Sequence, residues 1–252
     1  MLSSFVTALR TLTVLPVPGK DTETFSNSLF WFPMVGLLLG LLQAAPGYLL
    51  AWKELSAAFV VLGGIALTRG MHADGLADMV DGFWGGRTRE AALRIMKDPN
   101  VGSFGAIALS GMMLLKWIAV LKLLELGAFE VIVAGVLLAR LVQVLLASTL
   151  PYARSEVGTA HSFVNGAGRN HIVVTSLLTL FILLLLFQGG HFVLLVVIGA
   201  AFAAGLVTGV LSYRKIGGVT GDVLGAGSEL TEVFVWITGA VYSGSYHLFF
   251  LI

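Results

Sequence analysis

Apolar residues are gathered into long runs along most of the chain. A helix needs about 20 mostly apolar residues to cross the hydrocarbon core of a bilayer. Seven stretches meet or approach that length: 31–50, 55–71, 104–124, 129–150, 171–187, 191–211 and 233–252. The second is the weakest, because Gly63 and Gly64 interrupt it and Arg69 lies near its end. The pattern predicts an all-α, polytopic membrane bundle of about seven transmembrane helices.

Shorter patterns complete the predicted architecture. In residues 1–16, Phe5, Leu9 and Leu12 recur at helical spacing, which is typical of an amphipathic helix at a membrane surface. The first 30 residues lack the pattern of a cleaved secretory signal, so we expect Met1 to be retained. A tight turn at 188–190 joins the fifth and sixth stretches. We predict one integral membrane catalytic domain over 1–252, with amphipathic cytoplasmic helices beside the bundle.

Composition narrows the class of protein further. The chain is 57% hydrophobic and only 12% charged, whereas soluble domains are about half apolar and about a quarter charged. Its 15 basic and 14 acidic residues nearly balance, so there is no broad positive field to hold nucleic acid. The absence of cysteine excludes disulfides, zinc–thiolate sites and thiol nucleophiles.

The distribution of basic residues predicts the orientation. Cytoplasmic loops retain Lys and Arg, and with the N-terminus inside only Lys53 and Lys122 fall in outer loops. The acidic residues near 74–81 and 222–232 then lie on the inner side. We therefore expect the chemistry to face the cytoplasm.

The segment His72–Gly82, HADGLADMVDG, places Asp74, Asp78 and Asp81 at i, i+4 and i+7. These positions share one face of a helix, where three carboxylates repel one another unless a cation or a shared proton intervenes. Mg²⁺ commonly binds through one or two carboxylates together with substrate phosphates. The spacing favours a Mg²⁺ site for phosphate chemistry over the alternative, a solvated acidic helix face.

Other polar residues extend this candidate site. His72 is a candidate for proton transfer or metal binding, although a histidine at a membrane interface is often only solvated. Cations beside a carboxylate–metal site suit a diphosphate substrate, and Arg94 is explained equally well by the retention of basic residues inside. The candidate substrate contacts that follow the triad are Arg87, Arg94, Lys97 and Asp98.

A second motif, GGVTGDVLGAGSELTE, places glycines ahead of Asp222 and a further acid at Glu229. Glycines before a helix allow the backbone to approach a phosphate, and Gly225 would allow that helix to pack closely on a neighbour. We expect a second wall of the same site, with Asp222 and Glu229 as further metal ligands. Its candidate substrate contacts are Gly218, Thr220 and Gly221.

Two basic residues lie well inside predicted spans, Lys116 and Arg140. Charge at that depth is costly and marks a functional candidate, so Arg140 is a candidate substrate contact. Pairing with acidic residues of the bundle explains both equally well. Arg154 lies in a polar loop after the fourth span and is a further candidate substrate contact.

Taken together, the motifs resemble those of the cobalamin synthase family, the adenosylcobinamide-GDP ribazoletransferases. The resemblance covers almost the whole chain and is carried by LTVLPVPG, FPMVGLLLG, HADGLADMVDG, RIMKDPNVGSFGAIAL, PYAR and GGVTGDVLGAGSELTE. It implies a Mg²⁺-dependent transferase in the bacterial or archaeal cytoplasmic (inner) membrane, acting in nucleotide-loop assembly of cobalamin. Its substrates would be adenosylcobinamide-GDP and α-ribazole or its 5′-phosphate. A homo-oligomer or a complex with other corrinoid-pathway enzymes stays open.

The resemblance and the acidic pattern suggest one hypothesis for the reaction. Asp74 and Asp78 would hold Mg²⁺ against the diphosphate, while the 3′-hydroxyl of ribazole attacks the phosphorus attached to cobinamide and GMP leaves. Asp81 would be the general base or a second metal ligand, and Asp222 is the competing base.

Two other functions are alternatives. A CDP-alcohol phosphotransferase needs D-G-x-x-A-R, but Asp78 follows Asp74-Gly75-Leu76-Ala77 here and the arginine is missing. A solute transporter could use Lys116 and Arg140 in a pathway, but the acids cluster in loops and no internal repeat is visible.

Overall fold

The computed structural model describes residues 2–155, 158, 160–188 and 190–249. In these residues it contains α-helices and one 3-10 helix, with no β-strand, so the predicted all-α bundle is confirmed. The helices are α1 Leu2–Leu12, the 3-10 helix Phe25–Trp31, α2 Phe32–Leu49, α3 Lys53–Leu67, α4 Met71–Gly85, α5 Arg89–Ile95, α6 Ser103–Glu125, α7 Phe129–Thr149, α8 His161–Val164, α9 Arg169–Leu186, α10 His191–Ile216 and α11 Gly221–Phe249.

Five helical segments are long and apolar enough to span a membrane on their own. They are Phe25–Leu49, which joins the 3-10 helix to α2, and then α6, α7, α9 and α10. Helix α7 lies at the centre, and nearly every residue from Val131 to Ala147 is buried. The predicted tight turn includes Gly189, which lies outside the described residues.

The predicted span 55–71 is not one straight helix. Helix α3 ends at Leu67, the backbone turns through left-handed conformations at Arg69 (φ 55°) and Gly70 (φ 70°), and α4 departs at 85° to α3. Only together are α3 and α4 long and apolar enough for a membrane span. Three aspartates make α4 too polar to cross the hydrocarbon core on its own.

Helices α4 and α11 pack through glycines. A Cβ atom at Gly75 would lie 2.7 Å from the carbonyl oxygen of Asp222, and one at Gly225 would lie 3.1 Å from the Cα of His72. The predicted close packing at Gly225 is therefore confirmed. Helix α11 begins well before the predicted 233–252 span, whose residues 250–252 lie outside the described part of the chain.

Helix α1 has the predicted amphipathic character. Leu9 and Leu12 are buried, and the Phe5 ring lies 5.1 Å from the ring of Trp31. The backbone N–H of Val14 donates to the carbonyl of Leu67, so the segment after α1 is attached to the end of α3. This contact closes one side of the region where the α3–α4 break lies.

Candidate active site

A cavity of about 320 Å³ lies where α11 begins. Its polar lining includes His72 and Asp74 from α4, Arg154 from the segment after α7, and Asp222 from α11. We call this cavity the aspartate pocket. The sequence motifs around 72–82 and 217–232 therefore do meet at one site, as predicted.

Asp222 is held by two donors. Arg154 Nη2 donates to Asp222 Oδ2 at 2.7 Å, and Thr220 Oγ1 donates to the same oxygen at 3.1 Å. Burial raises the pKa of Asp222, while Arg154 and the Thr220 hydrogen bond act in the opposite direction without cancelling the rise. Two bonds to one oxygen fix the orientation of the carboxylate, and a raised pKa makes it a stronger base.

The pKa of Asp78 responds to the charges of the neighbouring acids. Burial raises its pKa to about 7, the charges of Asp74, Asp222 and Asp81 add to the rise, and Arg154 opposes it. Such coupling indicates that the carboxylates lack enough positive charge to be ionised together. Within the described residues, no three His, Asp or Glu side chains are already arranged to hold a metal ion. Magnesium bound through one or two carboxylates and substrate phosphates does not require such a group.

Asp81 has a different environment from the other two acids of its motif. Its Oδ2 accepts the N–H of Gly102 at 2.7 Å and its Oδ1 accepts the N–H of Gly105 at 2.9 Å, at the start of α6. A carboxylate at a helix N-terminus satisfies otherwise unpaired N–H groups. This contact gives Asp81 a structural role, and its roles as base and ligand stay predictions.

Lys116 and Arg140 belong to a buried cluster of charges. Lys116 Nζ lies 2.7 Å from Glu229 Oε2 and 2.6 Å from Glu232 Oε2. Arg140 lies 4.0 Å from Glu232 Oε1 and donates to Ser228 Oγ. The structure therefore favours the pairing interpretation for both cations. It also engages Glu229 away from the aspartate pocket lining, so the predicted ligand role of Glu229 stays a prediction without support from its contacts.

His72 lies between the two polar groups. It lines the aspartate pocket and also a small polar cavity beside Lys116 and Arg140. Burial lowers its pKa well below the usual range, and the nearby charges of Arg140 and Lys116 lower it further. Its Nε2 has no hydrogen-bond partner among the described residues. His72 is therefore a buried imidazole, not a solvated one, and its roles in proton transfer and metal binding stay predictions.

The predicted contacts around α5 are mostly at the surface. Arg87, Arg94, Lys97 and Asp98 are exposed, and none of them lines the aspartate pocket. Asp98 accepts two hydrogen bonds from Asn100, which lower its pKa. These hydrogen bonds stabilise the local turn. Substrate binding by Arg87, Arg94, Lys97 and Asp98 stays a prediction.

The glycine-rich segment before α11 has mixed roles. Gly218 packs against the carbonyl of Pro151, where a Cβ would collide, so close backbone packing accounts for it. Thr220 is buried and bonds Asp222, whereas Gly221 lines the aspartate pocket. The aspartate pocket is also lined by Tyr152, which sequence reasoning missed. The backbone N–H of the next residue, Ala153, donates to the carbonyl of Val219 and thereby holds the glycine-rich segment in place. The PYAR motif was the available signal for that contact.

Fold and site together define a polytopic membrane protein with an acid-lined pocket at one end of its helical bundle. The model of the cobalamin-5-phosphate synthase family matches residues 4–240. The chain belongs to this family. Membership supersedes the phosphotransferase and transporter alternatives.

Relatives named adenosylcobinamide-GDP ribazoletransferase match over nearly their whole length. The protein of Pelodictyon phaeoclathratiforme is 74% identical over 248 residues, covering 96% of this chain and 98% of the relative. That of Chlorobium chlorochromatii is 66% identical, covering 99% and 100%. That of Syntrophobacter fumaroxidans is 36% identical, covering 93% and 97%. No solved structure matches this chain.

Proposed function

We propose that this protein transfers the cobinamide-phosphate part of adenosylcobinamide-GDP to α-ribazole or its 5′-phosphate, with release of GMP. The shared name of the relatives supports this reaction, which completes the nucleotide loop of cobalamin. The observation that carries the proposal is the meeting of Asp74, Asp222 and Arg154 at one pocket. Asp78 lies close enough for the charges of all three to shift its pKa. Acids and one cation at a pocket suit a diphosphate that arrives with a divalent metal.

Magnesium fits the donor set of the aspartate pocket. Its proposed ligands are Asp74, which lines the pocket, and Asp78, whose pKa responds to the charge of Asp74. Both carry hard oxygen donors, and the pKa of Asp78 is raised despite the charge of Arg154. When bound, Mg²⁺ would neutralise negative charge on the diphosphate. Asp81 and Glu229 fit this role less well. The oxygens of Asp81 accept hydrogen bonds from backbone N–H groups, and Glu229 pairs with Lys116.

Asp222 is our proposed general base. Its Oδ2 receives both Arg154 and Thr220, which leaves Oδ1 without a hydrogen bond from the described residues. In the reaction, the 3′-hydroxyl of ribazole would lose its proton to Asp222 and form a bond to the phosphorus attached to cobinamide. The bond from that phosphorus to the GMP oxygen would break. Positioning of this kind is the main contribution that proteins make to phosphoryl transfer.

We further propose that the aspartate pocket faces the cytoplasm of a bacterial or archaeal cell, with the N-terminus inside. The basic residues support this orientation, because Lys53 and Lys122 are the only ones expected in outer loops. A guanine nucleotide substrate would also be supplied from that side.

The experiment that tests the proposal measures GMP release in detergent over a series of Mg²⁺ concentrations. We expect Asp222→Asn to lower kcat by at least a hundredfold at saturating Mg²⁺, because the proposed base is lost. Asp78→Asn should instead raise the Mg²⁺ concentration needed for half-maximal rate. Glu125→Gln is the matched control, since it removes a carboxylate that makes only an exposed pair with Lys122. Full activity of folded Asp222→Asn would contradict the assignment of the base.

A further inference from the structure

A second large cavity, separate from the aspartate pocket, lies between α7, α9 and α10. It has a volume of about 630 Å³ and an almost entirely apolar lining. All three helices are among those able to span a membrane. We call this cavity the α10 groove. Its lining therefore suits a molecule with a long apolar part that is available within the bilayer.

The groove follows one stripe of α10. Phe202, Leu206, Val210 and Arg214 succeed one another every four residues along its wall. From the first to the last the helix rises about 18 Å, at about 1.5 Å per residue. One leaflet contributes about half of the ~30 Å hydrocarbon core of a bilayer. The groove thus has the length of a single acyl chain from one leaflet.

Two glycines of α10 shape the floor of the groove. A Cβ at Gly205 would lie 3.2 Å from Val142 Cγ1, and one at Gly209 would lie 3.1 Å from Leu146 Cδ2. Both distances are tighter than ordinary contact, so larger residues at these positions would push α10 away from α7. The glycines allow the close approach of the helices while the larger side chains on either side form the walls.

One end of the groove is basic and aromatic. Arg214 lines the groove and also an adjoining cavity that contains Trp84 and Lys215. In the described part of the chain, neither Arg214 nor Lys215 forms an ion pair. Trp84 and Tyr213 are 61% and 58% exposed. Exposed aromatic rings beside unpaired cations are typical of the headgroup level of a membrane.

We propose that the α10 groove binds one anionic glycerophospholipid, with an acyl chain along α10 and the phosphate at Arg214 and Lys215. The apolar length accounts for the chain, and the two cations at its end account for the negative headgroup. Charge complementarity distinguishes this lipid from the zwitterionic lipids that also surround the bundle. The proposal does not depend on the reaction at the aspartate pocket.

Native mass spectrometry of the whole protein, stripped of lipid in detergent, tests the proposal. Titration with dioleoyl-phosphatidylglycerol should give one adduct that binds at least fivefold more tightly than dioleoyl-phosphatidylcholine. The double variant Arg214→Gln/Lys215→Gln should lower phosphatidylglycerol binding to the phosphatidylcholine level. The matched double variant Lys20→Gln/Lys122→Gln removes the same charge outside the groove and should bind phosphatidylglycerol like the wild type.

A groove-filling variant tests the acyl chain. Val210→Trp should lower the binding of both lipids at this site at least fivefold, and Leu206→Trp serves if the first variant does not fold. The proposal would be overturned if the wild type bound phosphatidylglycerol no more tightly than phosphatidylcholine and the Arg214→Gln/Lys215→Gln variant bound both lipids as the wild type does. The lipid would then be nonspecific surrounding lipid. Equally tight binding of glycerol 3-phosphate would also overturn it, because the groove would then have no part in recognition.

Discussion

Gly75→Ala should separate α4 from α11 at the point where their carboxylates meet. The added Cβ would lie 2.7 Å from the carbonyl oxygen of Asp222, whereas ordinary contact begins at 3.4 Å. The backbones must therefore separate by about 0.7 Å, the difference between these two distances. Asp74 is the neighbour of Gly75 in the chain, so the shift alters its spacing from Asp222 directly.

The size of the effect follows from two terms. Overpacking costs about 1–3 kcal/mol, and alanine regains about 0.5–1 kcal/mol over glycine within a helix. We expect a net loss of up to about 2.5 kcal/mol in the free energy of unfolding. A misplacement of about 1 Å can cost about a hundredfold in rate, so a shift of this size should lower kcat/KM at least tenfold.

The assay is GMP release per folded molecule, together with thermal unfolding in detergent. Gly111→Ala is the matched control, because α6 leaves open space around that position. It should raise stability by about 0.5–1 kcal/mol and leave kcat/KM unchanged. Wild-type kcat/KM and stability in Gly75→Ala would refute the inference that this contact sets the spacing of the acids.

Three further predictions concern the charged groups. Lys116→Met should lower the free energy of unfolding by about 3–5 kcal/mol, because it leaves buried glutamates unpaired. The control Lys122→Met should cost at most about 1 kcal/mol, because its ion pair is exposed. Equal losses of the two variants in chemical denaturation would contradict the buried pairing. Asp81→Asn should lower the free energy of unfolding by about 0.5–2 kcal/mol, because it weakens the hydrogen bonds at the start of α6, with little effect on kcat. A large loss of kcat in folded protein would instead assign Asp81 a catalytic role. The pKa of Asp78 is raised to about 7, so below that pH a proton competes with the cation for its carboxylate. Calorimetry should therefore show Mn²⁺ affinity falling up to about tenfold per pH unit as the pH decreases from 7. Asp78→Asn should show no such fall.

The sequence predicted the features that depend on helical periodicity and residue type. Apolar runs identified the five helical segments that are long and apolar enough to span a membrane, because the bilayer sets that length. They also predicted spans at 55–71 and 233–252, and in the described part of the chain neither qualifies on its own. The motifs around Asp74 and Asp222 were expected to form two walls of one site, and the packing of Gly75 and Gly225 brings them together. Local spacing was sufficient for these features.

The individual side-chain partners that come from distant parts of the chain could not be predicted in this way. The spacing of Asp74, Asp78 and Asp81 placed all three on one face, but Asp81 lies two helical turns from Asp74, about 10.5 Å along the axis, and reaches the start of α6 instead. Glu229 shares a periodicity with Asp222, yet Lys116 from a different helix pairs with it. Such choices among partners are made by tertiary packing.

Product stoichiometry tests the proposed reaction most directly. The purified protein would be incubated with adenosylcobinamide-GDP, Mg²⁺ and either α-ribazole or its 5′-phosphate, and both GMP and the corrinoid product would be quantified. We predict one GMP for each adenosylcobalamin or adenosylcobalamin 5′-phosphate formed, and neither product when the acceptor is omitted. Folded protein that forms no corrinoid product with either acceptor, or that releases GMP without an acceptor, would contradict the proposed reaction.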